Sequence, residues 1–322
     1  MEIALSIIIP CFNHGEYLLD AIANLDPKAN DYEILIINDG STDIKTLEIL
    51  KDLREQGYFI LDQVNQGLAM ARNHGISIAK GRYILPLDSD NKIYPKYIEQ
   101  GIEILDKSPE VGVVYGDMEL FGDQIGKWEL PDFDLNRLML GNYIDACAVF
   151  RKAVWEDCGG YDDKIPDKLG YEDWDFWLGA AAKGWQFHHI AEVMYQYRVR
   201  SDSMVQTCKL PENQKRLVHY IASKHPNLYL PRYAEVIAEK EFATFQSIAE
   251  VDSLRSKLNQ ALLASAQSQS QLSQAHAELE QSQQQLRQTQ AELAQIHQRV
   301  QAMESSKLWQ LRNLWHRLKS KF

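Results

Sequence analysis

Short apolar runs punctuate the first part of the chain, at residues 5–9, 33–37, 58–61 and 83–87, and each reads as a strand. Between them lie longer stretches with helical spacing, at 16–25, 43–56 and 68–79, and a fourth follows at 95–107. Strand and helix in strict alternation predict βαβ units and a mostly parallel sheet flanked by helices. Ligands of such sheets bind beyond the carboxyl ends of the strands. Polar or glycine-bearing segments follow three of these strands, at 10–15, 38–43 and 88–91, so all three are expected on one rim. Further on, 111–115 and 146–150 read as strands and 117–134 as an irregular, loop-like stretch. A helix begins at the acids Glu172, Asp173 and Asp175 and carries Trp177, Leu178, Ala181 and Ala182 on its apolar face.

The end of the chain has a different period. Residues 232–322 contain neither glycine nor proline. Apolar residues recur there at steps of seven: Val251, Leu258, Leu272, Leu279, Leu286, Leu293 and Val300, with Ser265 the exception. The companion positions, Leu254, Ala261, Ser268, Ala275, Ser282, Thr289, Ile296 and Met303, are mostly small. A strict seven-residue repeat predicts a coiled coil, here one of closely approaching helices and modest stability. Fourteen glutamines between Gln260 and Gln301 also suit a disordered linker, and that alternative stays open. After Ser306 the register shifts, and Leu308, Leu311, Trp315, Leu318 and Phe322 line one face of a helix rich in Lys and Arg. Such a helix suits a membrane surface or a partner protein.

Composition narrows the function classes. The 322 residues are 45% hydrophobic, enough for a sizeable core with an appendage. The net charge of −11 argues against nucleic acid as the main partner. Lys307, Arg312, Arg317, Lys319 and Lys321 make the last segment basic, with no acid after Glu304. Cys11, Cys147, Cys158 and Cys208 lie without paired spacing and read as reduced thiols. The N-terminal apolar run lacks a basic leader and stops at Pro10, so it reads as a strand, not a signal peptide. No apolar run reaches membrane-spanning length. A cytoplasmic protein is expected, held peripherally at the inner face of the cell membrane by its tail.

Candidate chemistry gathers in the three rim segments. Asp88 and Asp90, one residue apart after a strand, can turn towards one hard cation such as Mg²⁺ or Mn²⁺; a polar turn is the plain alternative. In 38–43, Gly40 makes the turn and Ser41, Thr42 or Asp43 can cap the next helix, which leaves Asp39 without a local explanation.

These segments, Ile-Ile-Pro-Cys-Phe-Asn, Ile-Asn-Asp-Gly-Ser-Thr-Asp, Asn65 to Asn73, Asp88-Ser89-Asp90, Gly159-Gly160-Tyr161-Asp162 and Glu172-Asp173-Trp174-Asp175, resemble glycosyltransferase family 2 in order and spacing over residues 1–205. The resemblance implies a Rossmann-like GT-A domain at 1–205, with a nucleotide-sugar half at 1–110 and an acceptor half at 111–205. A helical connector at 206–245, a coiled coil at 246–304 and a basic amphipathic helix at 305–322 follow. It further implies that Pro10, Phe12 and Asn13 belong to the nucleotide site, with Phe12 stacking on the base. Asp39 would accept the base's N–H. Arg72 would reach towards phosphate or a nearby carboxylate, Asp88 would contact ribose or metal, and Asp90 would be the principal metal ligand. Asp173 becomes the base that deprotonates the acceptor hydroxyl. Glu172, which also reads as a helix cap, joins Trp128 and Trp174 on the acceptor side, the two tryptophans being expected at the surface.

One motif departs from the family. Many relatives carry Tyr-Arg-x-His-x-x-Ser, whose His adds a metal ligand, whereas here Tyr197-Arg198-Val199-Arg200-Ser201-Asp202-Ser203 puts Arg200 at that place. Arg200 cannot ligate a cation but suits a diphosphate. Asp202 or His188 and His189 are possible substitute ligands. The expected activity is inverting transfer of a sugar from a nucleoside diphosphate, favouring UDP, to a hydroxyl of a glycan or lipid-linked acceptor in surface polysaccharide assembly. The expected cofactor is Mn²⁺ or Mg²⁺, and the expected assembly is a homo-oligomer through the coiled coil. A degenerate transferase domain serving as a coiled-coil scaffold at the membrane is the alternative. A nucleotidyltransferase would need a basic glycine-rich phosphate loop, which 10–15 lacks.

Overall fold

Strand β1 (Leu5–Cys11) is buried at all seven positions and forms the spine of the sheet. This computed structural model describes residues 3–320. β1 pairs in parallel with β2 (Tyr32–Asp39) and β4 (Tyr83–Pro86), Ile7 lying opposite Ile34 and Leu85, and β2 pairs in parallel with β3 (Phe59–Gln63). Strands covered on both faces have no wet side to alternate towards, hence the run Ile7, Ile8, Ile9. The intervening helices are α1 (Gly15–Ile22), α2 (Ile44–Glu55) and α3 (Leu68–Ile78), with α4 (Pro95–Lys107) after them. α3 lies so close on the sheet that a Cβ at Gly75 would meet Ile8 Cγ2 at 2.6 Å.

The sheet continues through β5 (Lys92–Ile93), β6 (Val111–Gly122), β7 (Gly126–Trp128), β8 (Val149–Arg151) and β9 (Gln186–Val199). Their order is β3-β2-β1-β4-β8-β6-β9-β5, with β7 paired to β6. β8 runs antiparallel to β4 and β6, so the sheet is mixed beyond its parallel half. Helices α5 (Leu135–Leu140), α6 (Lys152–Cys158) and α7 (Glu172–Ala182) cover this part.

The irregular stretch expected at 117–134 is corrected here. β6 runs on to Gly122 and returns as β7, pairing Met118 with Trp128. Met118 and Leu120 alternate with Glu119, so the ladder to β9 survives register shifts around Asp117. Asp117 itself is buried, and its Oδ1 takes the Leu130 N–H at 3.0 Å and His189 Nε2 at 2.9 Å. His189 is therefore committed to Asp117 and does not replace a metal ligand.

The chain divides into two units, Met1–Glu241 and Phe242–Phe322. In the first, α8 (Met204–Cys208), α9 (Pro211–Lys224) and α10 (Pro226–Tyr229) bring Cys208, Leu217, Ile221 and Leu228 into buried positions. Buried Asp175 on α7 anchors α9 through Lys224 Nζ at 2.7 Å and His225 Nε2 at 2.8 Å. Helix α11 (Tyr233–Ser305) is continuous for 73 residues, and its seven-residue apolar stripe is exposed throughout the second unit. Among the described residues this is one helix without a second copy beside it, so the coiled coil itself is not shown. Ser306 caps α12 (Lys307–Lys319), its Oγ accepting from Trp309 N. Phe322 and Lys321, expected in the basic amphipathic helix, lie outside the described residues. No helix among the described residues is long and apolar enough to cross a membrane.

Candidate active site

The loops after β1, β2 and β4 meet at the carboxyl rim of the parallel strands. Asn13 adopts a left-handed backbone (φ 56°), and its Oδ1 accepts from the Thr42 and Asp43 amides at 2.8 and 2.9 Å. Its own N–H donates to Ser41 Oγ at 3.0 Å. Asn13 thus clamps the first loop to the second. Asp43 is the residue that caps α2, accepting from Thr46 N at 2.8 Å. Pro10 is buried in β1 opposite Ile37, whereas Phe12 is 44% exposed and free to stack.

Asp39 is buried at the end of β2, and its carboxylate binds across the next loop. Oδ1 accepts from Gln63 Nε2 at 2.7 Å and Gln66 N at 2.8 Å, and Oδ2 from Gly67 N at 2.9 Å. Gly40, at φ 72°, packs so tightly that a Cβ would meet Asn65 N at 2.6 Å. Asp39 is therefore first a brace that fixes the turn leading into α3.

Arg72, fully buried on α3, is the hub of the site. Nη2 lies 2.5 Å from Asp88 Oδ1, and Nη1 donates to Glu172 Oε1 at the start of α7. Burial works against its charge, but the Asp88 and Glu172 carboxylates outweigh it and hold the guanidinium protonated. Of the two partners read from the sequence, phosphate or a nearby carboxylate, it is the carboxylates that Arg72 meets. Glu172 is accordingly corrected from helix cap to ion-pair partner: it is buried, and the N-cap of α7 is Tyr171, with no side-chain cap bond. Arg72 Nε and the Tyr161 hydroxyl are buried without a hydrogen-bond partner beside this hub.

Three more acids, Asp90, Asp145 and Asp173, stand near this hub. Asp88 and Asp90 come from the loop after β4. Burial and the Asp88 charge push the Asp90 carboxyl up to about 6, against the pull of Arg200. Asp145, before β8, accepts from Cys147 N at 2.9 Å, and burial with the Asp88 charge pushes it up to about 7. Asp173 receives Asn142 Nδ2 at 2.8 Å and the Trp174 N–H at 2.7 Å. Burial, then the Glu172 and Asp145 charges, push Asp173 well above the ordinary carboxylate range. Asp145 and Asn142 were missed from sequence: they precede the strand expected at 146–150 and stand in no motif, and only the fold brings them beside the other acids.

The end of β9 closes the site. Arg198 binds the Asp90 carbonyl through Nε at 3.0 Å and Asp20 on α1 through Nη2 at 2.7 Å. Arg200 Nη1 lies 3.2 Å from Asp90 Oδ2, and both its terminal nitrogens lie 3.3 Å from His14 Nε2. Burial and this cation hold His14 below the usual imidazole range, so it accepts from Arg200 in neutral form.

The two acceptor-side tryptophans part ways. Trp128 is 49% exposed as expected. Its partner Met118 also pairs Tyr195, and Leu120 pairs Tyr197, so Trp128 shares a sheet face with both tyrosines. Trp174 is corrected: it is 2% exposed and donates Nε1 to Leu138 O at 2.6 Å, so it packs the core and cannot stack on a ligand.

Among the described residues no three His, Cys, Asp or Glu side chains group as a self-contained metal site. The pair Asp88 and Asp90 nevertheless fits a divalent cation that shares its shell with substrate oxygens. One oxygen of each carboxylate is engaged by an arginine, and their mutual repulsion is what an added cation would relieve.

A mixed, mostly parallel sheet with acids and arginines on its carboxyl rim defines a GT-A-like α/β domain. Residues 6–157 match the family described as Glycosyl transferase family 2, and this part of the chain is a glycosyltransferase family 2 domain. Chondroitin synthase of Pasteurella multocida (strain Pm70) is 29% identical over 205 residues, which are 62% of this chain and 21% of that one. Hyaluronan synthase of Pasteurella multocida matches to the same extent, 29% over 205 residues. The chain thus spans about 21% of the length of these relatives. The crystal structure of S. aureus TarS 1–349 in complex with UDP-GlcNAc superposes with a TM-score of 0.56 at 20% identity, covering 69% of this chain and 66% of that one.

Proposed function

We propose that this protein transfers a sugar from a nucleoside-diphosphate sugar, a UDP-sugar, to a hydroxyl of a glycan or lipid-linked acceptor, with inversion. The single observation that carries the reading is the hub: Arg72 ties the Asp88 loop, on the donor side, to Glu172, next to Asp173 on the acceptor side. The named partners of the relatives, UDP-GlcNAc for TarS and polysaccharides for the synthases, agree with it.

In this reading Phe12 stacks on the base, while Asp39 and Asn13 hold the loops that receive the nucleotide, next to Pro10. Asp88 and Asp90 would hold Mn²⁺ or Mg²⁺, which when bound offsets the charge of the diphosphate. Arg200 sets a second, fixed cation beside the same oxygens. Asp173 takes the acceptor's proton, a task that its raised affinity for protons suits. Asn142 holds the carboxylate still, and Trp128 offers a face for the acceptor sugar. Attack opposite the departing diphosphate inverts the anomeric centre. Residues 1–205 carry this chemistry in two halves, 206–245 connect, 246–304 self-associate, and 305–322 hold the enzyme at the inner membrane face, where surface polysaccharide is assembled.

Calorimetric titration of the full chain with UDP, with and without Mn²⁺, tests the donor site. Binding that is lost in Asp90→Ala supports transfer. The ion pair of Arg200 with Asp90 favours one second reading, a domain that no longer turns over and serves as a scaffold. No binding of UDP, GDP or dTDP would leave that reading in place.

A further inference from the structure

The stripe on α11 and the charges beside it specify more than self-association. With Val251 and Leu258 as the first core position of each heptad, the flanking positions are Glu250, Lys257, Glu278, Glu292 and Arg299 on one side. Arg255, His276, His297 and Glu304 stand on the other. In a parallel, in-register pair each flanking residue of the first set meets the residue five further on in the other helix. Glu250 then meets Arg255, Glu292 meets His297 and Arg299 meets Glu304, and no two like charges meet. An antiparallel pair with full overlap, Leu258 against Ile296, sets Lys257 against Arg299, Arg255 against His297 and Glu278 against its own copy. Each of those contacts is repulsive or neutral, so the pattern opposes that arrangement.

From these charges we infer that two copies of this chain pair through α11 as a parallel, in-register, two-stranded coiled coil. The exposed stripe fits it: Leu293 is 58% and Val300 45% exposed, and Ile296 and Met303 lie on the same seam. Small companions such as Ala275 and Ser282 let the paired axes approach closely. Ser265 places a polar layer that penalises slipped registers, since a slip of one heptad would set it against Leu258 or Leu272. Arg255 has one competing neighbour within its own helix, Asp252 at 3.7 Å. This inference goes beyond sugar transfer and stands or falls independently of it.

The test uses the full chain in solution. Light scattering should give a mass of two chains. Ile296→Cys alone and Leu258→Cys alone should each form an interchain disulfide under mild oxidation. Arg299→Glu should weaken dimerisation about tenfold by setting acid against acid, and adding Glu304→Arg to it should restore the affinity. That rescue separates lost pairing from lost folding. A monomer or a trimer at all concentrations overturns the inference. So does a disulfide that forms in a mixture of the Leu258→Cys and Ile296→Cys chains but in neither alone, and so does a charge exchange without rescue.

Discussion

Arg200 sits with Nη1 3.2 Å from Asp90 Oδ2, so the second acid of the Asp88-Ser89-Asp90 loop has a built-in cation. The family pattern that the sequence resembles would place a metal-binding histidine here. In the proposed donor site Arg200 therefore substitutes a fixed positive charge for part of a metal shell. Arg200→Ala should weaken UDP binding by about tenfold or more, the loss of one charge-assisted contact. Arg200→His should recover affinity only when Mn²⁺ is present. Calorimetry on both variants checks this, and equal affinity in all three proteins would remove Arg200 from the site.

Asp39 braces two backbone amides and a glutamine in a buried turn. Asp39→Ala leaves those donors unsatisfied and should cost about 2–4 kcal/mol of stability. Chemical denaturation measures that loss. Nucleotide affinity should fall with it, because the same turn opens α3.

Asp173 is held protonated to higher pH than an ordinary carboxyl by burial and by the Glu172 and Asp145 charges. A general base works only when deprotonated, so activity should rise with pH through a limb above the ordinary carboxylate range near 4. Asp173→Asn should lower kcat by about 10²–10⁴ and abolish that limb. Asn142→Ala should leave the limb but move it, since the amide's donated bond favours the charged carboxylate. A pH–rate profile that Asp173→Asn leaves intact would assign the base elsewhere.

Helix α12 exposes Leu308, Leu311, Leu314, Trp315 and Leu318 together with Lys307, Arg312, Arg317 and Lys319. If it lies on an anionic surface, the full chain should sediment with phosphatidylserine vesicles and much less with neutral ones. Replacing Arg312 and Arg317 by Glu should weaken that binding by more than tenfold, at about 1 kcal/mol for each basic charge lost. Equal binding to both vesicle types, or none to either, would point to a protein partner.

The parallel half of the fold was legible because its strands and helices are local and strongly patterned: runs such as Ile7 to Ile9 need only their own sequence to be recognised. β6 was cut short because Gly116, Asp117 and Glu119 look like a loop, and only pairing with β9 turns them into a strand. The same limit governs the site. Asp39, Asp88, Asp90 and Asp173 stand in motifs, whereas the bond from Arg72 to Glu172 joins residues 100 positions apart and has no local signal. Trp174 was expected at the surface on the acceptor side, yet the indole fills the core and donates to Leu138 O.

The sharing of Arg72 between Asp88 and Glu172 bears on how this domain can be recombined. A chimera joined near residue 110, taking its first half from one parent and its second from another, would cut no strand of the parallel sheet. It would still divide a buried ion pair, and a parent lacking either partner would leave a charge stranded in the core. Specificity can therefore be grafted on this scaffold only with Arg72 and Glu172 inherited together, so the unit of exchange is the pair and not the half.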